Sequence, residues 1–365
     1  MTRVLIINTV PTERNGITNV ILNLLNHITT GYRFGYVSIS KVDSSIKQWF
    51  SQNGIDYHHI ERQISTTHKY IHSLVKILNG YDIVHVHGNS ATMVLEMIAA
   101  KIAGVKVRIA HSHNTTCSMK VIDRLARPLF YRLCNGRMAC GVEAGRWLFG
   151  NRDFKVLNNG IDTDRFRFSP DDRTEIRQNL GVDKEALLIG HVGNFVEQKN
   201  HRFLIDIFHC FKKGHPSSKL LLLGDGPLKE EIIAKTESMG LADSVIFAGS
   251  VDNPGKYLSA MDLVIMPSLH EGLPLTLVEE QANGLPILAA DTITKDSDMT
   301  GLVRFASLAE SSDKWSQKMA EILKSSRHGE SASTNAISCI KKAKYDITVV
   351  CNDLMEFYKA RVDHV

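Results

Sequence analysis

"YDIVHVHGNSATMVLEMIAAKIAGVKVRIAHSH", residues 81–113, decides how this chain folds. An apolar run of strand length leads into a stretch with helical spacing, and a second apolar run follows. Two strands joined through a helix lie parallel, and runs that stay apolar at consecutive positions belong to strands covered on both faces. The same rhythm extends outward. "RVLIIN" precedes "ITNVILNLLNHI" and "RFGYVSIS". It pauses near "FKVLNNGIDTDRFRFSP", where Asn-Asn-Gly and Ser-Pro supply turn chemistry, and restarts with "ALLIGHVGN", "HRFLIDIFHCFKK", "SSKLLLLGDG", "PLKEEIIAKTESMG", "SVIFAGS", "DLVIMPS" and "LPILAAD". The pattern predicts an α/β chain with two doubly wound domains, residues 1–160 and 161–345. A last helix within 346–365 is expected to pack back on the first domain. In such sheets ligands bind beyond the carboxyl ends of the strands.

A chain of 365 residues exceeds one compact core and agrees with two. Its 43% apolar and 22% charged content is that of an ordinary globular protein. The net charge of +4 tolerates anionic lipid or phosphorylated ligands, but no dense basic stripe with interleaved aromatics points to nucleic acid. Six cysteines are scattered without a Cys-x-x-Cys, and the chain opens directly on a strand. These features predict the reduced cytoplasm. No apolar run reaches the roughly 18 residues of a membrane span.

"HEGLPLTLVEE", residues 270–280, carries an acid, a Gly and a Pro into a helix with a second acid eight positions after the first. The two carboxylates then stand on the order of 10 Å apart, too far to act on one bond. Pro274 suits a first helical turn. The free amides of Leu275 and Thr276 would make an anion site with Glu271 on one side and Glu279 on the other, each placed to accept from vicinal hydroxyls. A nucleotide diphosphate sugar has that layout.

Ser268, Glu271, Gly272, Leu273, Pro274, Glu279, Ala282, Gly284 and Pro286 together resemble the donor-site signature of glycosyltransferase family 4. The likeness continues in "VGNFVEQKNH", "LLLGDGPL", "VIFAGSV", "NNGID", "ACGVEAGRWLFG" and "YDIVHVHG". It spans nearly the whole chain and is strongest toward bacterial exopolysaccharide and capsular polysaccharide transferases. The resemblance implies the GT-B fold, two Rossmann-like domains facing across a cleft, with the acceptor on the N-terminal and the nucleotide sugar on the C-terminal domain. It implies a retaining transfer of a hexose or N-acetylhexosamine, with uridine diphosphate as the expected carrier and a saccharide, lipid-linked or free, as acceptor. Glu271 and Glu279 then hold the donor sugar and the ribose, and Gly272, Leu273, Pro274, Leu275 and Thr276 surround the diphosphate. Ser250 and Val251 meet the base, and His111 acts at the sugar. Lys199 supplies a cation for the departing diphosphate. Asn194 stands where the family usually carries Arg, and Arg202 or a loosely held divalent ion is the expected replacement. No cofactor or metal is expected to be required.

Other stretches have plainer alternatives. His85 and His87, and His111 and His113, follow strands and share a face within each pair. Without acids or thiolates nearby a zinc site is not expected; His85 and His87 read as structural, His113 is the fallback for His111, and His113 and Asn114 are acceptor-side candidates. Gly16 follows Asn15 where many relatives carry two glycines, and serves a tight turn near the ligand. Asp225 in "GDGP" is a turn, because Lys229 fills the place of the third fingerprint glycine. Asp162 and Asp164 form an incidental Asp-x-Asp. "MKVIDRLARPLFYRLCNGR" is basic and amphipathic, so either an anionic membrane at the inner face of the cell membrane or water covers its exposed side. Rival readings are a nucleotide-sugar epimerase on the same fold, a non-catalytic sugar-nucleotide-binding protein and, least supported, a dinucleotide oxidoreductase.

Overall fold

A computed structural model describes residues 1–10, 16–28, 30–326 and 328–363. Contacts divide the chain into two compact units, Met1–Gly160 with Ile347–Val365, and Ile161–Asp346.

The first unit holds strands β1 (Thr2–Asn8), β2 (Tyr32–Ser38), β3 (Asp56–His59), β4 (Ile83–Gly88), β5 (Val107–Ser112), β6 (Gly136–Ala139) and β7 (Lys155–Val156). They form a parallel sheet in the order β3-β2-β1-β4-β5-β6-β7. Helices α1 (Gly16–His27), α2 (Ser44–Gln52), α3 (Thr67–Leu78), α4 (Val94–Ile102), α5 (Lys120–Leu133) and α6 (Val142–Phe149) connect them. In the second unit, β8 (Leu188–Val192), β9 (Lys219–Leu223), β10 (Val245–Gly249), β11 (Leu263–Met266), β12 (Ile287–Ala290) and β13 (Val303–Ala306) run β10-β9-β8-β11-β12-β13, again parallel. Its helices are α7 (Pro170–Asn179), α8 (His201–Gly214), α9 (Lys229–Ser238), α10 (Pro254–Ala260), α11 (Leu275–Ala282), α12 (Ser312–Ser325) and α13 (Glu330–Lys342).

Period-two geometry builds both faces of the second sheet from continuous apolar runs. Leu221 and Leu223 of β9, with Val264 and Met266 of β11, join one core. Leu220 and Leu222, with Leu263 and Ile265, join the other. The last helix, α14 (Ile347–Asp363), belongs to the first unit. Its Tyr358 is fully buried there, Tyr32 donates to the Met355 carbonyl, and Arg361 to that of Asn135.

Three backbone segments at the carboxyl end of the second sheet are zipped together. The Gly193 amide donates to the Leu223 carbonyl, Gly224 to Gly249, and Phe195 to Asp225, each at 2.9 Å. So close an approach of main chains leaves no room for side chains. At Gly224, whose φ is +136°, a Cβ would lie 2.2 Å from the Gly193 carbonyl oxygen. Gly224→Ala therefore combines a clash against backbone with strain, and its unfolding free energy in urea should fall by about 2–4 kcal/mol.

Candidate functional site

The loop between β11 and α11 is fixed from the neighbouring strand's loop. The Leu269 amide donates to the Gln198 carbonyl, the Gln198 side chain to the His270 carbonyl, and the Asn200 side chain to that of Pro267. Asn200 adopts the left-handed conformation at φ 55°, which lets the chain turn from a short helical turn, Glu197–Lys199, into α8. Because β8 and β11 are neighbours, these two loops meet at one end of the sheet. There Lys199 Nζ donates to Glu271 Oε1 at 2.7 Å, with the side chains 15% and 10% exposed. The aliphatic part of Lys199 lies over Gly193.

Pro274 sits one place earlier than the sequence suggests. It is the N-cap, at ψ 125°, and α11 begins at Leu275. The amides of Leu275 and Thr276 consequently lie ahead of any intrahelical partner. Gly272 is exposed, while Leu273 and Leu275 are half-buried against the core. Glu279 is half-buried, and burial pushes its carboxyl up to about 7 against the opposing pull of Arg165. Glu280 is buried with neither oxygen partnered among the described residues, and burial raises it well above the usual carboxylate range, with Lys199 opposing and Glu279 adding. His191, His201, Ser268 and Thr276 also present buried polar atoms without a partner among the described residues. Beside Lys199 the His191 and His201 rings stay neutral, depressed by burial first.

Asn194 is exposed beside Gly193. Arg202, expected to replace the missing charge, is instead gripped by two carboxylates. It pairs with Glu197 through Nη1 and with Glu231 through Nη2, the latter at 2.7 Å. A guanidinium held in this way is committed to the surface. Ser250 is exposed and Val251 half-buried just past β10. Gly16 opens α1, and Asn15 with the preceding loop lies outside the described residues.

In the first unit the β4–β5 register sets His87 opposite His111. The two His-x-His pairs, separate in sequence, become one stack. The ring centroids of His85 and His87 are 4.2 Å apart, as are those of His111 and His113. His85 Nδ1 lies 2.6 Å from Tyr358 Oη and its Nε2 3.2 Å from His111 Nδ1; His87 Nδ1 lies 2.9 Å from His113 Nε2. Burial holds all four rings neutral, His113 at about 3 and the others well below the usual range, with neighbouring histidines lowering the inner three further. His111, expected at the sugar, is fully buried, whereas His113 is half-buried and Asn114 exposed. His85, His87 and His111 each place one ring nitrogen within 4.8 Å of the others, the group among the described residues that could hold a metal. Both nitrogens of His85 are already engaged. Asp162 accepts from the amides of Asp164 and Arg165, and Asp164 pairs with Arg167, so the Asp-x-Asp is a turn.

Residues 172–338 match the family model of glycosyl transferases group 1. Over 262 residues the chain is 36% identical to the Bacillus subtilis protein EpsF, assigned as a glycosyltransferase, covering 68% of each. It belongs to the group 1 glycosyl transferases. Among other relatives of this transferase, an Escherichia coli UDP-Gal:α-D-GlcNAc-diphosphoundecaprenol α-1,3-galactosyltransferase is 26% identical over 236 residues, 60% of each chain. The crystal structure of Anabaena HepE in complex with UDP superposes with a TM-score of 0.79 over 99% of this chain and 100% of that one, at 20% identity. That likeness is one of fold, two Rossmann-like domains of the GT-B type.

Two features of the transferase had no signal in its motifs. Glu280 follows the motif acid directly, and only the helix phase that turns it inward makes it a buried carboxyl. Tyr358 reaches His85 from 273 positions away. The titrations have opposite signs. Neutral buried histidines bind fewer protons folded than unfolded, so their stabilisation is lost as pH falls below their ordinary value of 6.5. Glu280 binds a proton more tightly folded, so its contribution is lost as pH rises above 4.5. Relative to the parent protein, Glu280→Gln should gain stability progressively as pH rises from about 4.5 to about 8 in urea titrations. A constant difference across that range rules out the buried acid as the cause.

Proposed function

We propose that this transferase is a retaining enzyme of glycosyltransferase family 4 that moves a hexose or N-acetylhexosamine from a UDP-sugar to a lipid-linked saccharide in cell-surface polysaccharide biosynthesis. The observation that carries the reading is the Lys199–Glu271 pair, 2.7 Å long, on the loop that leads into α11, whose first amides precede any intrahelical partner. Such a place concentrates positive potential for a diphosphate and sets a carboxylate beside it for sugar hydroxyls. Glu279 lies about one turn into α11 for the ribose, and the main chain at Ser250 and Val251 meets the base. The Escherichia coli relative, named for a UDP-sugar donor and a diphosphoundecaprenol-linked acceptor, supports both substrate classes.

In the reaction the acceptor hydroxyl oxygen bonds to the anomeric carbon from the side the diphosphate leaves. The carbon–oxygen bond to the diphosphate breaks, and the acceptor proton passes to a diphosphate oxygen. Lys199 and the amides of Leu275 and Thr276 stabilise the charge that develops there. They occupy the role of a divalent ion, so no metal is required. In the first unit His113 and Asn114 form the acceptor side, with His111 supporting them from within the sheet.

Lys199→Ala should lower kcat by about 100-fold or more, read as acceptor-dependent UDP release, while Glu279→Gln should chiefly weaken donor binding in calorimetry. Unchanged turnover in the lysine variant removes it from the chemistry. Product spectra showing inverted anomeric configuration, or UDP-sugar isomerised without acceptor, overturn the retaining transfer. Exhaustive chelation should leave the rate within about twofold, because a lost Lewis acid costs several kcal/mol.

A further inference from the structure

Helix α5 carries a buried acid on its inward face and an apolar stripe on its outer one. Its inward face carries Asp123, buried, which accepts from the Ala91 amide at 2.7 Å and from Arg127 Nε at 2.8 Å. Phe130 is fully buried on the same face. These contacts, with Ala126, Tyr131 and Leu133 also packed against the core, fix the rotation of the helix and leave four apolar residues outside. Val121 is 73% exposed and Leu125 77%, and Ile122 and Leu129 also face outward. Such residues four apart form one continuous stripe.

At the amino end of the stripe opens a cavity of about 460 Å³ lined by Thr116, Lys120, Asp123, Arg124, Arg127 and Trp147. It carries three cations and one carboxylate. The carboxylate is spent on Arg127, whose guanidinium also lies over the Trp147 ring at 5.3 Å from its centroid. The cavity therefore keeps a surplus of two positive charges, from the exposed Lys120 and Arg124. A site expecting an anion thus adjoins a surface expecting hydrocarbon, and Lys120 and Arg124 each immediately precede a residue of the stripe. The cavity has room for more than one phosphate and falls in the size range of small-ligand sites.

We infer that this cavity and the outer face of α5 form one bipartite site for a polyprenyl diphosphate, the lipid half of the acceptor. The diphosphate sits at Lys120, Arg124 and Arg127, and the prenyl chain lies along Val121, Leu125 and Leu129. The assignment rests on the lipid-linked acceptor proposed above and names the group that is recognised. Arg127, included among the basic residues of the segment, is tied to Asp123 and contributes by position rather than as a free surface charge.

Flotation of the full-length protein with three vesicle types tests the site: neutral phosphatidylcholine, phosphatidylcholine with phosphatidylglycerol, and phosphatidylcholine with undecaprenyl diphosphate at equal surface charge. The undecaprenyl diphosphate vesicles should capture half the protein at about tenfold less lipid than the phosphatidylglycerol vesicles, and inorganic diphosphate should compete. Lys120→Glu with Arg124→Glu should abolish that preference, and Leu125→Asp should weaken capture by both charged vesicles. Both sets of positions are exposed, and circular dichroism with UDP calorimetry on each variant establishes that the fold and donor site persist. Equal capture by the two anionic vesicles, a preference that survives the charge reversal, or no capture at all by protein that binds UDP overturns the site while leaving the transferase reading intact. Failure of UDP binding in the parent protein instead strikes the donor assignment.

Discussion

An ammonium and a carboxylate that burial presses together govern the carboxyl end of the second sheet. Lys199 comes from the turn after β8 and Glu271 from the loop after β11, two neighbouring strands. Neither side chain has much water, so each is the other's main solvent. The pair thereby locks two loops in register and keeps an exchangeable cation at the mouth of α11. In the proposed reaction an incoming diphosphate offers Lys199 a second anion and lets Glu271 turn toward sugar hydroxyls. The charge needed in the transition state is then in place before the substrate arrives, which is where electrostatic catalysis gains most.

The geometry around that pair depends on main chain more than on side chains. The loops after β8 and β9 and the last residue of β10 touch amide to carbonyl, and Gly193, Gly224 and Gly226 are the positions where they pass. A Cβ at Gly226 would come within 2.7 Å of the Phe195 carbonyl oxygen. Packed backbone of this kind is stiff, because its polar groups satisfy one another and cannot relax separately. The same packing brings Gly193 beneath the stem of Lys199, so the precision of the cation is inherited from hydrogen bonds three strands wide.

Much of this was legible in the sequence, for reasons of chain geometry. Uninterrupted apolar runs such as "KLLLL" fix strands covered on both faces, and their alternation with helical stretches fixes two parallel sheets. The Glu271-to-Glu279 spacing was legible because both acids lie on or beside one helix. What sequence could not show depended on partners from distant elements. Arg202 reads as an available cation until Glu197 and Glu231 close on it. Pro274 reads as a first-turn residue, yet the cap conformation differs from it only in ψ. In α5 the amphipathic pattern is plain, but which of its apolar residues point inward is fixed by the Asp123–Arg127 pair and the Ala91 amide together with the buried Phe130.

The histidine stack shows how a residue from the chain's far end can act on the first sheet. Tyr358 enters on α14 and meets His85 Nδ1, whose ring also meets His111 Nδ1 through Nε2. A neutral imidazole carries one proton, so donation at one nitrogen forces acceptance at the other. If the tyrosine donates, His85 donates onward, and His111 carries its proton on Nε2. If the tyrosine accepts, the order reverses, and His111 Nε2 is a bare lone pair. That Nε2 is buried and without a partner among the described residues. Burial, with the neighbouring imidazoles adding to it, keeps a second proton off the His111 ring. The state of His111, which stacks on the half-buried His113, is thus coupled through one hydrogen-bonded ring to the packing of the C-terminal helix. A helix that reads from sequence as a simple brace also decides which way a proton points.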